Sequence, residues 1–180
     1  RFGKYCMTSG TVAQSKSGTV QSFNIGAART LAQALGNGYQ LYDWQFRELF
    51  NDLAMINQRS VQINLSTILG IEHWNNYIWI DGFCHNNADY LICYDPAKYV
   101  DSPTESTNGY SKLGYTMPTS NTYIKVLGYD SNHPFALFPK TGGGSSATYY
   151  PDQSYYSAGN HPVHCVVGGT AAGGGLFGFD

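Results

Sequence analysis

Charge is scarce in this chain. Of its 180 residues, 10 are Lys or Arg and 12 are Asp or Glu, a charged share of 12% with a net charge of -2, about half the usual proportion. Basic patches are absent, so neither nucleic acid nor an anionic membrane is an electrostatically favoured partner. Apolar runs are short, and none approaches the roughly 20 residues that a spanning helix requires. The N-terminus, Arg1-Phe2-Gly3-Lys4, has no signal-peptide anatomy and no initiator Met, as expected of a processed product or a piece of something longer. The four cysteines, Cys6, Cys84, Cys93 and Cys165, follow no metal or redox spacing, which leaves small buried hydrophobes or disulfides as the two readings. Asp-rich calcium loops are missing, and Gly142-Gly143-Gly144 lacks the lysine of a phosphate loop. Neither a metal nor a cofactor is expected.

Apolar and aromatic residues are plentiful. A chain that is 42% hydrophobic and 15% aromatic can bury a sizeable core, and residues 1–180 read as one domain. Periodicity makes the first half helical. Asn24 caps a segment from Ile25 to Leu35 with Ala28, Leu31, Ala32 and Leu35 on one face, and Gly36-Asn37-Gly38 supplies a left-handed stop. A second helix runs from about Asp43, its N-cap, to Gln58, with Arg59 near its C-terminal end. Phe46, Leu49, Phe50, Leu53 and Ile56 recur at three and four and predict the buried face.

Beyond Gly70 the runs shorten and become β-prone. Tyr77 to Ile80, Tyr90 to Tyr94, Tyr123 to Leu127, Phe135 to Phe138 and Cys165 to Val167 read as strands bounded by Asp, Asn, Gly and Pro. Trp79 is expected in the core, with Asp81-Gly82 turning the chain beside it. Long polar connections, Asp95 to Thr122 and Pro139 to His164, exceed ordinary loop lengths and read as functional insertions. The fold class expected is α+β: two helices on a small, mostly antiparallel sheet with long loops.

The stretch from Gly142 to Asp180 concentrates Tyr, Ser, Asn, His and Gly with almost no charge, the composition of a paratope. Tyrosines there supply large, stiff, amphipathic contact area, and Ser145, Ser146 and Asn160 supply adaptable hydrogen bonding.

Several segments taken in order carry a resemblance: Ala27-Ala28-Arg29 through Leu35-Gly36-Asn37-Gly38-Tyr39, Leu41-Tyr42-Asp43-Trp44, Gly70-Ile71-Glu72-His73-Trp74-Asn75-Asn76 into Ile78-Trp79-Ile80-Asp81-Gly82, Val167-Gly168-Gly169 and Gly174-Gly175-Leu176-Phe177. They resemble phage and prophage surface proteins of C-type-lectin-like fold, the fold of retroelement-diversified variable proteins and of the formylglycine-generating enzyme family. The resemblance spans about Ile25 to Phe179. It implies a virion-surface protein of a phage tail, or a bacterial cell-surface protein, that recognises a host surface protein or glycan through its C-terminal loops. It places the ligand face on Ser145 to His164, with Tyr149, Tyr150, Asp152, Gln153, Tyr155, Tyr156, Asn160 and His161 as contact residues; the alternative is that several tyrosines pack the loop onto the fold. Members of the family continue past Gly-Leu-Phe, whereas this chain stops at Gly178-Phe179-Asp180. A truncated chain or an edge completed by a partner is expected from that departure, and with it a homo-oligomer.

Two other function classes compete. A structural virion module would turn the same loops toward neighbouring subunits. An enzyme of the formylglycine-generating type would need a reactive thiol, and Cys165 has His164 beside it and His161 nearby. On a strand, however, consecutive positions face opposite ways, so His164 and Cys165 would not form a pair. True calcium lectins carry a Glu-Pro-Asn or Gln-Pro-Asp triplet and a Trp-Asn-Asp strand, and Trp74-Asn75-Asn76 falls too early to serve as the latter. The reading is binding, not catalysis.

Overall fold

A computed structural model describes residues 25–41, 43–58, 67–68, 71–72, 78–105, 109–145, 147, 153–154, 156 and 163–167. They form an α+β arrangement of two helices and small antiparallel sheets. Helix α1 is Ile25–Gln33 and α2 is Trp44–Gln58. A short pair, β1 (Thr67–Ile68) with β2 (Ile71–Glu72), stands apart. The main sheet has the order β5-β4-β3-β9, with β3 at Ile78–Asn86, β4 at Asp89–Ile92, β5 at Ser111–Thr116 and β9 at Val163–Val167. A three-stranded sheet has the order β7-β6-β8, built from β6 (Thr122–Leu127), β7 (Pro139–Gly142) and β8 (Gln153–Ser154). Among the described residues no helix is long and apolar enough to cross a membrane.

The helix boundaries follow local chemistry. Asp43 caps α2 by accepting the Phe46 N–H at 2.8 Å. Gly36 and Gly38 after α1 have φ of 118° and 89°, the left-handed conformation in which glycine stops a helix without steric cost.

The β3–β4 hairpin is buried on both faces, which explains its unbroken apolar run Leu91-Ile92-Cys93. One face gives Phe83, Tyr90 and Ile92 to the main core, where they meet Trp44 of α2 and Leu113, Tyr115, Met117, Ala136 and Phe138. Phe83 stacks on Phe138 with ring centroids 4.2 Å apart. The Trp44 indole N–H donates to the Cys93 carbonyl at 2.7 Å, satisfying the one polar atom of a fully buried indole. The other face packs Cys84, Leu91 and Cys93 with Tyr99 and Tyr110. Cys84 and Cys93 are buried thiols, and burial pushes the Cys84 thiol up to about 12, so it is an inert core group. Cys6 and the Cys165 side chain lie outside the described residues.

Several expectations are corrected. Asp81-Gly82 does not turn the chain; β3 runs through it, and the reversal comes at Asn87, whose φ is 52°. Instead Gly82 (φ 72°) accompanies a register shift between Trp79 and Cys84, and a Cβ there would lie 2.5 Å from the Tyr99 ring. Phe135 to Phe138 is no strand: Phe135 sits at an exposed turn while Ala136 and Phe138 are core. The connection Asp95 to Thr122 contains β5, whose alternation buries Leu113 and Tyr115. Leu35 is exposed, as are Leu49, Leu53 and Ile56, at 57%, 43% and 74%. Of the α2 face predicted to be buried, Leu49, Leu53 and Ile56 are thus turned outward, while Phe46 is half-buried and the Phe50 side chain lies outside the described residues; Trp44, Arg47 and Glu48 are the buried positions. Asn24, Arg59, Trp74 and the Trp79 side chain lie outside the described residues.

Candidate functional site

Of the expected ligand segment, Gln153–Ser154 forms β8 of the three-stranded sheet, and Val163 and His164 open β9 of the main sheet. β8 pairs with β6 through Tyr123 opposite Gln153 and Thr122 opposite Ser154, so the segment that follows β7 returns along β6 as an added strand. Tyr156 comes next. Its N–H donates to the Asn121 side chain at 2.9 Å, its ring is half-buried against the main core, and the His85 ring lies 6.0 Å from it. Burial lowers the His85 pKa, which favours the neutral imidazole beside that ring. Of the eight predicted contact residues, Gln153 and Tyr156 are thus brought to one edge of the β6 sheet. Tyr149, Tyr150, Asp152, Tyr155, Asn160 and His161 lie outside the described residues. His164 is in register with Cys84 on β3, and Cys165 follows it on the same strand.

Beside this sheet stands an exposed aromatic loop. Residues 128–137 leave and rejoin the core where the Gly128 N–H donates to the Phe138 carbonyl at 2.8 Å. Tyr115 threads beneath the loop: its hydroxyl donates to the Ala136 carbonyl and accepts the Phe138 N–H. A Cβ on Gly128 would collide with the Tyr115 ring, which is why glycine stands there. Asp130 accepts N–H groups from Gly114 at 2.8 Å and Asn132 at 2.9 Å, and those bonds hold its carboxyl below the usual range. On this fixed frame Tyr129 and Phe135 stand 65% and 69% exposed. His133 bridges the loop to the main sheet, its Nδ1 at 2.9 Å from the Tyr94 hydroxyl and its Nε2 at 3.3 Å from Ser111 Oγ. Burial and the Asp130 charge raise the Tyr94 pKa.

A third feature was not anticipated from the sequence. Arg29 on α1 forms a bidentate pair with Asp81 on β3, at 2.7 Å from Nε and 2.9 Å from a terminal nitrogen, and also donates to Asp101 at 2.9 Å. Asp81 is buried and its Oδ1 also accepts the Gly82 N–H. These carboxylates raise the already high Arg29 pKa. Asp43, bridged by backbone to Asp81, has its pKa raised by burial, against the pull of the capped Phe46 N–H, and by the Asp81 charge. The signals available were a lone arginine on a small, otherwise uncharged helix and an aspartate inside an apolar strand run. Over the pair opens a cleft of about 170 Å³ lined by Arg29, Gln33, Tyr39, Gln40, Leu41 and the Pro96–Ala97 turn, with Tyr99 at its back. Among the described residues no group of His, Cys, Asp or Glu is arranged to hold a metal ion.

Comparison with protein-family models, with curated proteins and with solved structures gives no match to this chain.

Proposed function

We propose that this protein is a ligand-binding surface protein, and specifically a receptor-binding protein of a phage tail or a bacterial surface that recognises a host surface protein or glycan. The observation that carries the reading is the mounting of an aromatic, charge-poor segment, Ser145 to His164, on β6 by way of β8. The loop 128–137, at the other end of β6 from the β8 pairing, is separately braced and exposes Tyr129 and Phe135. Rigid aromatics on a fixed frame give contact area at low entropic cost, which is what recognition of a macromolecule requires. The finer assignment to a C-type-lectin-like fold rests on the dispersed motifs. In its favour, Arg29 and Asp81 belong to two of those motifs and meet in one buried pair.

The reading is tested without knowing the ligand by randomising Tyr149, Tyr150, Asp152, Tyr155, Asn160 and His161 together. A display surface tolerates such variation, so most library members should keep a cooperative melting transition close to the parent's. Loss of that transition in most members would show the segment to be part of the fold.

A second reading, a structural module packed against neighbouring subunits, is favoured by α2. Leu49, Leu53 and Ile56, spaced by four and three, form an exposed apolar stripe, the spacing of a helix-pairing seam. The two readings are compatible, because the α2 stripe shares no residue with the Ser145 to His164 segment.

A further inference from the structure

The cleft above the Arg29–Asp81 pair has a chemistry that narrows its ligand. Charge is the first constraint. One guanidinium faces the carboxylates of Asp81 and Asp101, and Asp43 is bridged by backbone to Asp81, so the site carries a residual negative charge and repels phosphates and carboxylates. A cation fares no better. Asp81 accepts Arg29 on both oxygens and Gly82 on one of them, and Asp43 accepts Phe46 on one oxygen and Gln40 on the other. The ligand is therefore uncharged.

Hydrogen bonding is the second constraint. Arg29 uses three of its five N–H groups on Asp81 and Asp101. Gln40 donates its amide nitrogen to Asp43 at 2.9 Å, which holds the side chain and leaves its carbonyl oxygen as an acceptor. Gln33 stands one turn beyond Arg29 on the same face of α1. The walls thus offer donors and acceptors in planar, partly immobilised groups. A purely apolar ligand would strip water from them without replacing its hydrogen bonds. Shape is the third constraint. Tyr39, which is exposed, lines the cleft together with Leu41, Pro96 and Ala97. At about 30 Å³ per water, the cleft holds roughly six waters, the size of one small ring.

An uncharged ring with hydroxyls around its edge and an apolar C–H face meets all three constraints. We infer that this cleft binds a single neutral pyranose unit, with Arg29, Gln33 and Gln40 on its hydroxyls and Tyr39 against its C–H face. It does so without calcium, at a place remote in sequence from the Ser145 to His164 segment. The inference rests on the binding reading and adds to it a saccharide subsite.

The test is chemical-shift titration of the labelled protein with methyl pyranosides of glucose, galactose and mannose, with inorganic phosphate and acetamide as controls. At least one pyranoside should shift the side-chain amide signals of Gln33 and Gln40 and the Tyr39 ring, saturably and with chelator present. Gln33→Ala breaks no internal side-chain hydrogen bond seen among the described residues, so it keeps the fold, and it should weaken that binding at least tenfold. Absence of saturable shifts with every pyranoside, equal shifts with acetamide or phosphate, or unchanged binding in Gln33→Ala would each overturn the inference. Replacing Tyr149, Tyr150 and Tyr155 by Ala should leave the cleft titration untouched. A variant that loses attachment while a cleft binds nothing would overturn the subsite alone and leave the binding reading intact.

Discussion

Arg29 and Asp81, 52 residues apart, hold each other by two parallel hydrogen bonds, with the Asp81 carboxylate almost wholly out of solvent. The pair staples α1 to β3, and the backbone bridge from Asp81 to Asp43 ties in the start of α2. Removing one partner leaves a buried charge unpaired. Arg29→Ala or Asp81→Ala should therefore cost about 3–5 kcal/mol, measured by urea unfolding. Asp101→Ala removes the half-exposed third member and should cost less than about 1 kcal/mol. Equal costs at Asp81 and Asp101 would show that the bidentate pair is not the anchor.

Gly82 sits against the Tyr99 ring with φ of 72°. Gly82→Ala meets both a left-handed backbone and a collision, and should lose roughly 2–4 kcal/mol. Adding Tyr99→Ala relieves the collision but not the backbone strain, so the double variant should not regain more than part of the loss relative to Tyr99→Ala alone. Full recovery would mean that the backbone conformation costs nothing.

Glu48 is buried with Arg47 beside it, and burial raises its pKa from 4.5 to about 8. The folded state keeps this proton through a window in which the unfolded chain has released it. The contribution of Glu48 to stability is therefore fully present below about 4.5 and is lost as pH rises to about 8. Glu48→Gln keeps the shape without the charge. Between about pH 5 and about pH 9 the variant should gain several kcal/mol on the parent, at 1.4 per pH unit. Parallel pH profiles for the two proteins would show Glu48 to be ionised and compensated.

The exposed stripe on α2 makes a contrast. Leu53→Lys and Ile56→Lys should each change monomer stability by no more than about 0.5 kcal/mol, whereas Ile92→Ala in the main core should cost about 2–5 kcal/mol. If the stripe pairs subunits, the lysine variants sediment as monomers where the parent does not. A large stability loss without any change in sedimentation would place the stripe in the core of its own chain.

Both helices were legible in the sequence because their caps are local: Asp43 and the Gly36-Asn37-Gly38 stop act within one turn. Their orientation was not. The three-and-four period of Leu49, Leu53 and Ile56 marks an apolar face, but periodicity does not say what covers it, and here Trp44 anchors the opposite side through Cys93. β4, β6 and β9 were readable as apolar runs. β5 was not, because Ser111-Lys112-Leu113-Gly114-Tyr115-Thr116 alternates only weakly and owes its strand state to pairing with β4. Phe135 to Phe138 misled for the reverse reason, since Asp130 and Tyr115 brace it as a loop. The Tyr-rich segment proposed as a paratope was read from composition, and within it Gln153–Ser154 pairs with β6 as β8. The Arg29–Asp81 cleft needed the fold.

The central claim is that the tyrosines of Ser145 to His164 other than Tyr156 make contact, while β8, Tyr156 and the start of β9 within that span belong with the rest to the fold. Tyr156 is left out of the test because its ring already packs against the core. The decisive measurement is attachment of the Tyr149→Ala, Tyr150→Ala, Tyr155→Ala triple variant to the natural host surface, taken with its melting temperature. Contact aromatics dominate binding and contribute little to a remote core, so attachment should fall at least a hundredfold while the melting temperature stays within a few degrees of the parent's. A triple variant that unfolds, or that folds and attaches as well as the parent, contradicts the account.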